Sequence, residues 1–134
     1  MTMATVTCEA QKITRAAKYP WPPPDAVLVA PDSLWLVQYA EAERCLGWKG
    51  DVNKVQWYIV PGLSFHDAEA REVIGYWVPP HKLYIADGVK NLRWLVRHES
   101  LHDLLQSGLH PSGVFGKLCA ATWGYLTANG DLGE

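Results

Sequence analysis

The sequence predicts an α+β fold, in which a small mixed or antiparallel sheet packs on one central helix that has a further helix on either side in sequence. Two observations predict the elements. Residues 33–46 and 92–107 carry apolar side chains at helical spacing, and the stretch 55–86 between them is rich in β-branched and aromatic residues. A third observation predicts a folded core, because 49% of the residues are hydrophobic and 19% are charged. The 134 residues suit one domain.

The prediction divides the chain into a Pro-rich extended segment, 1–25, and a single domain, 26–134. The run Tyr19-Pro20-Trp21-Pro22-Pro23-Pro24 holds the chain extended, because each proline fixes its own φ and disfavours helix in the residue before it. We interpret the segment as a tether across the domain surface, with a polyproline ligand for another module as the alternative.

Caps and breakers predict where the elements begin and end. Asp32 or Ser33 is a suitable N-cap for a first helix over 33–46, and Gly47 ends it. The buried side of that helix is predicted to carry Trp35, Tyr39, Ala42 and Leu46. Four β-type runs follow the same rules: 26–30, which is a strand or a packed extended segment, 55–60, 73–78 and 82–86. A polar loop is predicted at 65–72.

The central helix is predicted between an N-cap at Asn91 and a stop at Gly108. Its apolar and histidine side chains share one broad face: Trp94, Leu95, His98, Leu101, His102 and Leu105. Ser112 is the predicted cap of a last helix. Its apolar spacing is Val114, Leu118, Ala121 and Tyr125.

The central helix contains the pattern His98-Glu99-x-x-His102. Four residues advance a helix by about 400°, so the two histidines lie about 40° apart on one face. Two imidazoles in that arrangement can bind one zinc ion (Zn²⁺). Glu99, on the flank, can take a proton from a water whose pKa the metal has lowered. The pattern therefore predicts a catalytic zinc site.

A catalytic zinc ion needs a third protein ligand, which we assign to His110. Gly108 can reverse the chain, and two extended residues then recover most of the helical rise beyond His102. Because the ligand rule does not fix distance in sequence, three alternatives stay open: His66, His81 and Asp131. Asp103 points about 100° away from His102, so we expect it either to support a ligand by a hydrogen bond or to be solvated.

Charge and hydropathy exclude two classes of partner. With a net charge of −2 and no basic stripe, the chain is not expected to bind nucleic acid. No apolar run approaches the roughly 20 residues of a membrane span, and Met1–Ala10 lacks the pattern of a signal peptide. The cysteines Cys8, Cys45 and Cys119 are either all free thiols, or Cys45 pairs with Cys119. A disulfide would indicate an oxidising compartment such as the bacterial extracytoplasmic space.

The His98-Glu99-x-x-His102 motif resembles that of the zincin metallopeptidases. The run from His98 to Cys119, with His110-Pro111 and Phe115, resembles small uncharacterised bacterial proteins with the same core. The resemblance implies a minimal zincin fold and a zinc-dependent peptidase, with Glu99 as general base and a peptide or protein as substrate. In zincins an edge strand before the active helix holds the substrate by backbone pairing, and Lys82–Ala86 has that place in the order of this chain.

An alternative function is a zinc-binding module that cleaves nothing and binds a partner through its aromatic surface. A fourth protein ligand would favour that module, whereas a water in the fourth position would favour an enzyme. A zinc hydrolase for a non-peptide amide is a further alternative, and the oligomeric state stays open. If the protein is an enzyme, three side chains are candidates to stabilise an oxyanion: Tyr76, Tyr84 and Tyr125.

Overall fold

The computed structural model describes residues 18–122 and has the elements of an α+β protein, which confirms the predicted fold class. The α-helices are α1 (Ser33–Leu46) and α2 (Arg93–Leu105). The strands are β1 (Val27–Val29), β2 (Gln56–Val60), β3 (Phe65–His66), β4 (Glu72–Val73), β5 (Gly75–Val78) and β6 (Lys82–Ala86). The shorter elements are two 3-10 turns, Val52–Lys54 and Asp87–Val89, and a π-helical segment, Gly113–Leu118.

Four strands form one mixed sheet in the order β1-β2-β6-β5. β6 pairs in parallel with β2 and antiparallel with β5, so it lies inside the sheet. The prediction that Lys82–Ala86 is the edge strand is therefore wrong. The turn through Pro79-Pro80 folds β5 back along β6, and β5 takes one of the two edge positions among the described strands, with β1 at the other. The loop predicted at 65–72 is instead a two-stranded hairpin of β3 and β4.

The two faces of the sheet bury different groups. Leu83 and Ile85 of β6 belong to the main core, together with side chains of α1 and α2. Tyr84 and Ala86 alternate with them and belong to a second cluster on the opposite face. There Trp21 of the Pro-rich segment contacts Tyr84, with 4.9 Å between the ring centroids. The described part of that segment therefore packs on the face away from the helices.

Helix α1 begins and ends at the predicted caps. The side chain of Asp32 accepts a hydrogen bond from the backbone N–H of Trp35 at 3.0 Å. Gly47 ends the helix in the left-handed conformation, with φ 79°. That conformation suits glycine, because it has no Cβ to meet the backbone.

The ends of α2 differ from the prediction. The residue before the helix is Leu92, whose side chain makes no cap, so the predicted N-cap at Asn91 is wrong. The helix ends at Leu105, because Gln106 adopts a left-handed conformation with φ 52°. The chain therefore reverses two residues before the predicted stop at Gly108.

The last predicted helix is the π-helical segment, which ends before Cys119. Of the two alternatives for the cysteines, the structure has the disulfide: Cys45 and Cys119 are bonded, with 5.5 Å between their Cα atoms. The bond joins the end of α1 to the end of the π-helical segment. Cys8 and Tyr125 lie outside the described residues, and the division of the chain into 1–25 and 26–134 stays a prediction. In the part of the chain from 18 to 122, no helix is long and apolar enough to span a membrane.

Candidate metal centre

Three imidazole rings converge in the structure, and they belong to the three residues predicted as metal ligands. The Nε2 atoms of His98 and His102 lie 3.2 Å apart. The Nε2 atom of His110 lies 3.1 Å from that of His98 and 3.0 Å from that of His102. Nitrogens bound tetrahedrally to zinc at its usual bond length are about 3.3 Å from one another. We call this arrangement the histidine triangle, and its size suits one such ion.

The loop after α2 brings His110 to the other two histidines. Gln106 reverses the chain, and the Nδ1–H of His102 donates to the carbonyl oxygen of Ser107 at 2.7 Å. The Ser107 hydroxyl accepts a hydrogen bond from the backbone N–H of Leu109 at 3.1 Å. The loop is thus hydrogen-bonded, three residues before His110 in sequence, to His102, a candidate ligand on α2.

Hydrogen bonds to backbone carbonyls fix the tautomers of the two helix histidines. The Nδ1–H of His98 donates to the carbonyl oxygen of Ala121 at 2.8 Å, as that of His102 does to Ser107. Both Nε2 atoms then carry lone pairs that face each other at 3.2 Å. A proton on His110 can serve only one of these acceptors at a time, whereas one cation satisfies all three nitrogens. The residues therefore fit a bound metal ion.

Burial keeps the helix histidines neutral. Desolvation is the main cause that lowers the pKa of His98 to about 4; the hydrogen bond to Ala121 opposes this shift, and the neighbouring imidazoles add to it. Desolvation likewise lowers the pKa of His102 to about 4. At neutral pH both side chains are uncharged imidazoles, which is the form that binds metal ions.

Aromatic rings surround the histidine triangle. Phe115 of the π-helical segment is 1% exposed, and its ring centroid lies 4.8 Å from that of His98, 4.9 Å from His102 and 5.2 Å from His110. Trp77 of β5 stacks on His102, with 6.2 Å between the centroids. These rings restrict the orientations of the imidazoles and exclude water from one side of them.

Glu99 lines the same cavity as the histidine triangle, but its side chain is buried. The prediction placed it on the flank of α2, and the structure covers that flank with β5. Burial raises the pKa of the Glu99 carboxyl group to about 8. The cavity has a volume of about 860 Å³ and lies between β5, the β3–β4 hairpin and α2. A carboxyl group, three imidazoles and room for a ligand therefore share one space.

Asp103 is a buried hydrogen-bond acceptor, so the solvated one of its two expected roles is excluded. Its carboxylate accepts from the Tyr39 hydroxyl at 2.9 Å, the Trp77 indole N–H at 3.2 Å and the His81 Nδ1–H at 2.9 Å. These donors come from α1 and from the β5–β6 hairpin, because the side chain points away from the histidine triangle. Its link to the site is indirect, through the Trp77 ring that stacks on His102.

The alternative ligands lie away from the histidine triangle. His81 pairs with Asp103, as described above, and His66 stacks on Tyr19 with 3.6 Å between the ring centroids. Asp131 lies outside the described residues. Of the alternatives that the structure describes, none joins the three histidines.

Two of the three residues predicted as candidates to stabilise an oxyanion, Tyr76 and Tyr84, lie in the described part of the chain. Tyr84 faces the second cluster on the far side of the sheet and is 3% exposed, so it does not reach the cavity. Tyr76 is paired with Tyr84 across β5 and β6, and its ring packs on Trp21 on the same face, with 5.2 Å between the ring centroids, although the residue also lines the cavity.

No known family is shown for this chain. No protein-family model matches it, and no curated protein and no solved structure matches it either. Its function therefore has to be inferred from its own residues and their geometry.

From the sequence, no role in the metal site was predicted for three residues that lie around it: Gly75, Trp77 and Phe115. A signal exists in the sequence only for Gly75, because a glycine inside a strand often marks the close approach of another group. The Ala121 carbonyl, which orients His98, carries no signal at all, since every residue has one.

Proposed function

We propose that the protein is a zinc-dependent peptidase that hydrolyses peptide bonds in an extended substrate. The proposed zinc ligands are His98, His102 and His110, and Glu99 is the proposed general base. One observation carries the proposal: three Nε2 atoms converge within 3.2 Å of one another in the cavity that also contains a buried carboxyl group. On the same grounds we propose that the fold is a minimal zincin.

Zinc is the metal that the ligand set favours. Neutral imidazole nitrogens suit a borderline metal ion, and three protein ligands leave the fourth position for water or substrate. When bound in such a site, zinc lowers the pKa of water to about 7 and polarises a carbonyl group. The carbonyls of Ser107 and Ala121 hold two of the rings and make their Nε2 atoms more basic.

Glu99 moves the proton in the proposed reaction. Its carboxylate accepts a proton from the attacking water and then delivers it to the nitrogen of the leaving amine, so the side chain is unchanged at the end. Burial opposes the ionised carboxylate, whereas a divalent cation in the same cavity favours it. The carboxyl group of Glu99 is therefore ionised, and able to accept a proton, only when a zinc ion is bound.

The proposed binding surface for the substrate backbone is the edge strand β5. The N–H of Ala86 donates to the carbonyl oxygen of Ile74 at 3.0 Å, so Ile74 directs its backbone groups toward β6. Inward and outward positions alternate along antiparallel strands, and Gly75 and Trp77 therefore direct theirs away from β6, to the side on which the structure describes no further strand. An extended peptide that pairs with these groups lies along the cavity.

The cavity favours this proposal over a zinc-binding module without activity. The cluster of candidate ligands has three members in the residues that the structure describes. A purely structural zinc site also has no need of the buried carboxyl group of Glu99, which is costly to desolvate. The Cys45–Cys119 disulfide is compatible with an extracytoplasmic location, and we propose the bacterial extracytoplasmic space.

Metal content tests the ligand assignment. Mass spectrometry of the intact protein should find about one zinc ion per chain in the wild type and in Glu99→Ala, and markedly less in His110→Ala. His66→Ala is the matched control, because this histidine lies outside the triangle, and it should keep its zinc. A wild type that binds no zinc after reconstitution would overturn the metal site.

A peptide library then tests the reaction. The zinc-loaded wild type should cleave extended peptides, and Glu99→Ala should lower kcat by about 10²- to 10⁴-fold while retaining zinc. If the zinc-loaded wild type cleaves no peptide, the peptidase proposal fails and the non-catalytic module takes its place.

A further inference from the structure

Gly75 lies where the edge strand β5 meets the side chain of Glu99. A Cβ atom added at Gly75 would lie 2.8 Å from Oε2 of Glu99 and 3.0 Å from Cδ1 of Leu95. Such distances are shorter than van der Waals contact, so one of the groups would have to move. The backbone of Gly75 is not in the left-handed region, and alanine suits a strand there. Glycine at this position therefore leaves space for the side chains of Glu99 and Leu95.

We propose that Gly75 is a positioning residue for the general base: its missing side chain lets the carboxyl group of Glu99 lie against β5 beside the histidine triangle. This inference rests on the proposed peptidase function. It also explains why the edge strand carries a glycine at a position where a β-branched residue would form a better strand.

A methyl group at Gly75 should displace the Glu99 carboxyl group and leave the fold in place. The three crowded atoms belong to the carboxyl group of Glu99 and a terminal methyl group of Leu95, which are ends of flexible side chains, whereas the backbone of Gly75 is held in register with Ile85 of β6. The side chain of Glu99 therefore gives way more easily than the strand. The three atoms nearest to the added methyl group belong to Glu99 and Leu95 and not to the histidines, so zinc binding should persist.

The displacement should affect the chemical step more than substrate binding. A general base must stay within hydrogen-bond reach of the proton that it accepts. Misplacement by about 1 Å can lower a rate by about 100-fold. For Gly75→Ala we expect kcat to fall about 10- to 100-fold, and KM to change by less than about threefold.

A second variant separates positioning from a general effect on the strand. Glu99→Asp shortens the side chain by one methylene and so makes room for the added methyl group. In that background Gly75→Ala should lower kcat by less than about threefold, because contacting residues act non-additively. Gly113→Ala is the matched control for a glycine replacement, since a Cβ at that position meets no described atom within 4 Å apart from its chain neighbours and the backbone of its own segment. It should keep wild-type kcat and zinc content.

Crystal structures of the zinc-loaded wild type and Gly75→Ala decide the inference independently of activity. A shift of the Glu99 carboxyl group by about 1 Å or more, with the three histidines in place, is the expected result. An unmoved carboxyl group, or an equal loss of kcat in the Glu99 and Glu99→Asp backgrounds, would overturn it. If the zinc-loaded wild type is inactive, the peptidase proposal fails, and the shift alone still shows whether Gly75 positions Glu99.

Discussion

At the scale of single residues, Asp103 is a buried side chain whose hydrogen-bond partners connect three parts of the fold. Its carboxylate receives three hydrogen bonds, from α1, β5 and the turn before β6. Asp103→Ala should lower the free energy of unfolding by about 3 kcal/mol, because it leaves the hydroxyl of Tyr39 and the indole of Trp77 without their acceptor. Tyr39→Phe removes a single bond and should cost about 1 kcal/mol. Urea denaturation of the metal-free protein measures both values.

The surface residue Asp87 provides the control for that comparison. Its side chain is exposed and pairs only with the half-buried Lys90 among the described residues, so Asp87→Ala should change stability by less than about 0.5 kcal/mol. Equal losses in Asp87→Ala and Asp103→Ala would contradict the assignment of Asp103 as a buried structural acceptor.

At the scale of elements, the disulfide fixes the π-helical segment against α1. Cys119 is two residues before Ala121, whose carbonyl orients His98, and the segment also carries Phe115 beneath the histidine triangle. Replacing both Cys45 and Cys119 by alanine should therefore lower zinc affinity by about 10- to 100-fold, as loss of a group that orients a ligand does. The same change should destabilise the fold by about 4 kcal/mol, since the bond closes a loop with a sequence separation of 74.

Competition with a chromogenic chelator measures that affinity, and Cys8→Ala is the control that leaves the disulfide intact. Unchanged zinc affinity in the disulfide-free protein would show that the π-helical segment holds its place without the bond.

Some elements of the fold could be predicted from the sequence and others could not. α1 and the histidine pair on α2 were predictable, because caps and helical periodicity are local signals. The end of α2 at Gln106 was not, since a non-glycine residue adopts the left-handed conformation there. Nor was the edge position of β5, because local pattern does not determine the order of strands in a sheet. The choice of His110 depended on chain reach alone, which tolerates a turn two residues early.

At the scale of the whole molecule, the two faces of the sheet have different surroundings. One face and its edge strand build the cavity with α2, while the opposite face is covered by Trp21 and the aromatic cluster around Tyr84. The part of the Pro-rich segment that the structure describes therefore packs on this opposite face. It leaves the cavity free, so a substrate has access without displacement of that part of the chain.

Zinc binding should stabilise the whole fold, because the three ligands come from α2 and from the loop that follows it. A ligand that binds only the folded state adds stability in proportion to the logarithm of its concentration, about 2.7 kcal/mol at a free concentration 100 times Kd. Urea denaturation of the wild type in zinc-buffered solution should show this increase. Glu99→Ala should show it as well, whereas a variant with both His98→Ala and His102→Ala should not. An equal increase in that double variant would mean that zinc binds outside the histidine triangle, and no increase in the wild type would mean that the three histidines hold no zinc.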